Sequence, residues 1–396
     1  MKEFWNNLKA YWEKSADTKI TIGSVTISRL AVFGIAAVIL IAALIALIYL
    51  MYGSNEMELV TERIPVDAHQ TYRINDSVLS FQTDNSLVKF NLKTDKEPST
   101  AHLNAAIDGY DVSEELTIVY SANVVKVQDR QGFTLSGGSV QDVRVGKSHA
   151  AVLFLNPTGE TRILLLRVKN NTLETLNTIV FNSSSVVAFD FASTENGELL
   201  WVSTVDVGQF AEEAIVRIYD CSLDGTLIYY SSPFYNQTIH DMYLSEQCMF
   251  LIGTQDIIRY DREADGGFTS EKHRTRIYGS HVVDFTAVEE SAYFIVVPDI
   301  ANEVGQHLFR LITISQTDDP WATMMQIHTA SPIVGAFLQG SQIRVLTQTH
   351  FTIYTYTGSQ REQLELKEVP VFAYRYSKEY FLMLTRDDCY RVSLKE

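Results

Sequence analysis

A short pattern, Val/Ile-x-(Asp/Gly/Ala)-apolar, returns along the chain about every 45 residues. It constrains the fold more than any other feature. It stands at Ile107–Tyr110, Val140–Val143, Val186–Phe189, Ile239–Met242, Val282–Phe285, Ile333–Ala336 and Val371–Tyr374. Each copy opens a unit. A strongly apolar run follows, such as "AAVLFLN" or "CMFLIGT", then a more polar one such as "AIVRIYDCSLDG" or "DIIRYDREADGG", then a weaker one. These runs are short, rich in β-branched and aromatic residues, and separated by Gly, Asn, Asp and Pro. That is the signature of strands joined by tight turns. "DCSLDG" at Asp220–Gly225 is read as such a turn and not as a calcium loop, because it lacks the remaining ligands.

A degenerate first unit, with "SVLSFQTDN" and "LVKFNLKTD" as its second and third strands, brings the count to eight units of about 42 residues over 57–396. Four strands in that length make one blade, so an all-β, eight-bladed β-propeller is predicted, with seven blades as the alternative if the first unit is not a blade. The last unit ends at "CYRVSLKE" without a fourth strand. The segment "MELVTERIPV" is predicted to supply it and close the ring, which removes the open sheet edges.

Ahead of the repeats lies a different signal. Leu30 to Tyr52 carries no charge and no proline. At ~1.5 Å per residue it makes a helix long enough for a ~30 Å hydrocarbon core, so a single transmembrane α-helix is expected. Lys2, Lys9, Lys14, Lys19 and Arg29 precede it, and only Arg63 is basic in the twenty residues after it. This bias places the N-terminus in the cytoplasm and the C-terminal domain outside the cell membrane. The expected organisation is a basic tail at 1–29, a span at 30–52, a linker at 53–56 and an extracytoplasmic propeller at 57–396. Phe4, Trp5, Leu8 and Trp12 would share one face of a helical tail. The tail has five basic and three acidic groups, a surplus of two, so the rest carries −18 of a chain total of −16. Such a domain repels nucleic acid, which is not expected as a partner.

No nucleophile elbow, zinc-protease helix, phosphate loop or dinucleotide glycine motif is present, and no cofactor is expected. The three cysteines, Cys221, Cys248 and Cys389, are far apart and show neither disulfide nor zinc spacing; no metal is assigned. Two groups of residues remain as candidate sites. Asp142, Asp241 and Asp284 occupy one repeat position, with His240 and His281 beside them, and would line the central channel. The connections at 205–214 and 298–307 carry Asp206, Gln209, Glu212, Glu213, Asp299 and Glu303 and no Lys or Arg. They would form an acidic rim on one face, suited to a partner.

The layout of short basic tail, span and repeats resembles an uncharacterised family of single-pass, membrane-anchored extracytoplasmic β-propeller proteins of Gram-positive bacteria. The blades are loosely similar to pyrroloquinoline-quinone-like repeats, without that class's Trp docking motif: the blades hold only Trp201 and Trp321. The expected function is that of a non-enzymatic, membrane-tethered binding or scaffold protein that meets a protein or a cell-envelope glycan. The alternatives are a propeller enzyme, hydrolase or quinone-dependent oxidoreductase, with its site at the channel mouth, and a receptor signalling through a cytoplasmic partner.

Overall fold

The computed structural model describes residues 19–22, 25–28 and 58–395, apart from short connections at 84–85, 104–105, 129–131, 136, 170–171, 183, 196, 208–211, 264–266, 300–306, 318–320 and 378. The chain divides at Glu58 into two compact units. Of the first, strands Lys19–Ile22 and Val25–Ser28 are described and pair antiparallel. The expected span at 30–52 and the aromatic face of the tail lie outside the described residues. No helix among the described residues is long and apolar enough to cross a membrane.

The second unit is an eight-bladed propeller. Each blade is an antiparallel sheet of four strands in sequence order, with one exception. The innermost strands are Arg73–Asn75, Gly109–Val112, Ser139–Val145, Ser185–Thr194, Ile239–Leu244, Ser280–Val288, Ile333–Gln339 and Pro370–Arg375, for blades 1 to 8. Blade 4 carries a fifth short strand, Phe234–Tyr235, paired to its third. Blade 8 is the exception: its outer strand is Glu58–Ile64, lying beside Cys389–Lys395. The two ends of the propeller thus complete one sheet, as predicted.

The recurring pattern encodes a β-bulge. In blade 5, Ile239 pairs with Gly253 and Asp241 with Ile252, so His240 has no partner of its own. The same shift falls at Gln141, Val187, Val283 and Val334. A bulge places two successive side chains on one side of the strand. Residues before and after it therefore sort cleanly. Val140 and Val143 pack into the core between blades 2 and 3. Ile239 and Met242 pack between blades 4 and 5, and Ile333 and Ala336 between blades 6 and 7. The bulged residue is left exposed at Val187, Val283 and Val371, and the residue after it sits in the wedge that narrows to the axis. That crowding explains the small residue of the pattern: a Cβ on Gly335 would lie 2.9 Å from Cβ of Ala373 in blade 8. In blade 8 the structure corrects the expected register by one residue. Pro370, not Val371, is the buried first position, and Val371 is the bulge.

The apolar interior is a set of wedges between blades. Leu79 and Phe90 of blade 1 pack with Ile64, and with Leu382 and Leu384 of blade 8. Blades 7 and 8 meet through Phe351 stacked on Phe381, ring centroids 5.7 Å apart. Polar latches cross the same seams. The carboxylate of Glu198 in blade 4 accepts the N–H groups of Lys147 and Ser148 in blade 3 and bonds His149 Nδ1 at 2.7 Å.

Candidate functional site

The bulges set the chemistry of the axis. A bulge frees the backbone N–H that follows it, and a carboxylate one residue earlier can accept it. Asp142, Asp241 and Asp284 do so, taking the N–H of Val143 at 2.9 Å, Met242 at 2.8 Å and Phe285 at 2.9 Å. The three thus stand at equivalent places, as the repeat indicated, but their remaining oxygens differ. Asp284 also accepts the N–H of Leu338 in blade 7 at 2.6 Å and the Arg375 guanidinium of blade 8 at 2.8 Å. It is a latch across three blades. Asp142 pairs with Arg144 at 2.8 Å. Asp241 is bonded by the Tyr243 hydroxyl.

Two further carboxylates escaped the repeat pattern. Asp111 and Asp190 lie two residues beyond the pattern's small position, on the same side of the strand. Asp111 is buried and accepts the Val145 N–H at 2.8 Å. Asp190 accepts only the N–H of Phe191, at 2.7 Å, among the bonds described. Burial pushes Asp111 up to about 6. Burial also pushes Asp190 up to about 7, the charges of Asp111 and Asp241 adding to it against the Phe191 N–H and the Arg144 charge. Carboxylates on the innermost strands of blades 2 and 5 thus act on Asp190 in blade 4 through their charge. Reading every second residue after the pattern would have found Asp111 and Asp190.

Asp190 gives a measurable consequence. A carboxyl whose folded pKa is raised makes the folded state bind more protons than the unfolded state between about pH 4 and 7. Stability on its account falls as pH rises through that window. Asp190→Asn, which keeps an oxygen for Phe191, is expected to stabilise the chain by roughly 1–3 kcal/mol at pH 8 and by almost nothing at pH 4. Urea midpoints at the two pH values test this. Equal effects at both would reject it.

The opposite side of the axis mixes apolar residues with His281 and an ion pair. A cavity of about 580 Å3 opens among blades 5 to 8, bounded by Tyr243, Val283, Val334, Phe372, Tyr374 and the Asp284–Arg375 pair. The bulges turn Val187, Val283 and Val371 outward, 45%, 40% and 62% exposed, and Phe372 beside them is 42% exposed. His240 is the bulged residue of blade 5; burial lowers its pKa, Asp241 opposes this and His281 adds to it. His281 Nδ1 bonds Asp299 Oδ1 at 2.8 Å, and both side chains are about half exposed. Among the described residues no three His, Cys, Asp or Glu side chains are placed to hold a metal ion.

In blade 4 the expected rim connection is shorter than 205–214. In blade 4 the ladder runs on to Val207–Glu212, so only 208–211 connect the strands. Asp206, Glu212 and Glu213 are strand residues there, and Asp206 lies directly opposite Glu213. Thr204 is the partner of the first pattern position in blade 4, as Gly253 is in blade 5. The blade 4 strand continues to Val207 and the blade 5 strand stops. That extension of three residues projects roughly 10 Å. Asp299 stands on the same face in blade 6, through its bond to His281. Gln209 and Glu303 lie outside the described residues. On the other face a cleft of about 850 Å3 between blades 4, 5 and 6 is bordered by Glu195, Glu246, Glu289, Glu290 and Arg262.

This architecture defines an eight-bladed β-propeller. The chain is similar in fold to BamB from Moraxella catarrhalis, at 9% identity and a TM-score of 0.50, covering 86% of this chain and 100% of that one. It is also similar to the WD40 domain of SCAP from fission yeast, at 10% identity and a TM-score of 0.52, covering 85% and 98%. The Dos1 propeller matches at 10% identity and a TM-score of 0.51, covering 85% and 94%. At such identities the likeness is one of fold. Neither a family profile nor a curated protein sequence matches the chain.

Proposed function

We propose that this chain is a membrane-tethered, extracytoplasmic binding protein whose propeller engages a protein partner through the face bearing the blade 4 hairpin. Propellers serve as enzymes and as binding modules alike, so the fold alone does not choose. The observation that carries the reading is the pairing of Asp206 with Glu213 on a hairpin that projects beyond blade 5. Like charges directly opposite across a ladder are unfavourable. Here they stand with Glu212 and with Asp299 of blade 6, and the stretch 205–214 holds no Lys or Arg. A basic partner surface would relieve that repulsion on docking, through contacts that salt weakens. The uncharged run from Leu30 to Tyr52 is the anchor in this reading. The basic tail before it sets the tail inside and the propeller outside, in the manner of the membrane-anchored family the layout resembles.

Two measurements test the proposal. Protease added to intact, wall-stripped cells is expected to digest the propeller and spare a tag at Met1; a protected propeller overturns the topology. In-cell crosslinking is expected to capture a protein partner. The double variant Asp206→Asn/Glu213→Gln should reduce that capture about tenfold at low salt. Unchanged capture by a folded variant removes the hairpin from the interface. Capture of cell-envelope glycan and no protein overturns the partner class.

A further inference from the structure

We infer that the cavity among blades 5 to 8 is a binding site for an uncharged aromatic small molecule that carries one hydroxyl. The ring would lie among Val283, Val334, Phe372 and Tyr374, and the hydroxyl would donate to Nε2 of His281. This goes beyond the function proposed above and does not rest on the hairpin.

The bulges build the walls. Val282 packs into the wedge between blades 5 and 6, whereas Val283, the bulged residue after it, borders the cavity. Val334 of blade 7 is bulged in the same way, and Phe372 of blade 8 follows the bulge at Val371. Apolar side chains from three blades thus surround one space, with the rings of Tyr243 and Tyr374 beside them. Gly335, Ala336 and Ala373 line it too, and their small size keeps it open. Its volume of about 580 Å3 lies within the roughly 300–1,000 Å3 of ordinary ligand pockets. An aromatic guest gains from edge or offset contact with such rings beyond the area it buries.

The charged pair in the lining selects against ions. Asp284 has both oxygens in use. Oδ1 accepts the Phe285 N–H at 2.9 Å and Arg375 Nη2 at 2.8 Å, and Oδ2 accepts the Leu338 N–H at 2.6 Å. A cation finds no free carboxylate oxygen there. Arg375 gives Nη1 to the Leu338 carbonyl, so an anion would have to displace Asp284 from its own counter-charge. An ion of either sign would lose water without gaining a partner, which is costly. An uncharged guest escapes that cost.

His281 supplies the remaining polar contact. Its Nδ1 bonds Asp299 Oδ1 at 2.8 Å, and its ring lines the cavity. A carboxylate only accepts, so Nδ1 carries the hydrogen and Nε2 of the neutral ring is an acceptor. Among the described residues Nε2 has no hydrogen-bond partner. A hydroxyl on the guest fits it.

The test is isothermal titration of the full-length chain, in a non-ionic detergent at pH 8, with 2-naphthol. Matched probes are 2-methoxynaphthalene, which has no donor, the anion 2-naphthoate and the cation 2-naphthylmethylammonium. Val283→Trp fills the cavity from an exposed position and leaves only the uptake by detergent. The parent is expected to bind 2-naphthol saturably and Val283→Trp is not. Binding should be about fivefold tighter than that of the methyl ether, the worth of one hydrogen bond. It should be about tenfold tighter, or more, than that of either ion. In His281→Phe the naphthol and its ether should bind equally, and this ratio cancels any general effect of the substitution on the fold. Equal binding of naphthol and ether by the parent, tighter binding of either ion, a titration unchanged by Val283→Trp, or a preference for naphthol that survives in His281→Phe overturns the inference.

Discussion

Removing residues 57–66 is expected to cost the propeller about 5 kcal/mol or more and to make it aggregate. The segment contributes Glu58–Ile64 as the outer strand of blade 8, and Ile64 and Val66 are buried in the wedge shared with blade 1. Burying two such side chains is worth roughly 1.5–3 kcal/mol each. The ladder to Cys389–Lys395 adds net hydrogen-bond stability of about 1 kcal/mol per bond. Arg391 pairs with Glu62 at 3.3 Å, and Arg63 with Asp388. These pairs are exposed on at least one side and add little. Deletion also bares a sheet edge, which templates association. A chain starting at Gln70 should therefore unfold at markedly lower denaturant than one starting at Asn55, and precipitate sooner. Equal midpoints and equal solubility would show that the ring closes without this strand.

The blades were legible in the sequence because the recurring pattern is a bulge with a chemical reason for each residue. An apolar residue seats on the preceding blade, a free position turns outward, and a small or acidic residue fits the crowded wedge and takes the freed N–H. The register slipped in blade 8 because Pro370 fills the apolar position and the following Val371 and Phe372 imitate it. Proline cannot donate to a ladder, which argues against a strand interior but not against a strand's first residue. Asp142, Asp241 and Asp284 were found as a set, yet their different bonds were not readable. Asp284 depends on Arg375, ninety-one residues away, and on the backbone of a third blade. Asp111 and Asp190 were missed because they follow the pattern instead of belonging to it. In the blade 4 half of the rim, "VDVGQFAEEA" reads as loop because it has no turn dipeptide to mark where pairing stops, and the ladder runs on through Asp206 and Glu213 despite their charges.

Arg259→Ala is expected to destabilise the chain by about 3–5 kcal/mol, the scale for breaking a buried pair by removing one partner. Nothing in "DIIRYDREADGG" marks this residue, which reads as one polar position of a half-exposed strand. In the structure it is 1% exposed. Its Nε and Nη2 hold Asp261 Oδ1 at 2.9 and 2.5 Å, within the same strand of blade 5. Its other bonds reach blade 6, to the carbonyls of Ser315 at 2.5 Å and Thr317 at 2.8 Å. The guanidinium fork suits this geometry, reaching a carboxylate and two carbonyls from one plane. Truncation leaves two carbonyls short of a donor, a carboxylate without its main counter-charge and a cavity where a long side chain lay. Lys272, 3.8 Å from the other oxygen of Asp261, is too distant and too exposed to replace it. Arg259→Lys should recover only part of the loss, since one ammonium cannot span all three acceptors. In a double-mutant cycle with Asp261→Ala, the pair should show coupling of about 2 kcal/mol, because the second change removes the stranded charge. A loss below about 1 kcal/mol for Arg259→Ala, or full rescue by lysine, would mean that the seam between blades 5 and 6 is held by its apolar wedge alone.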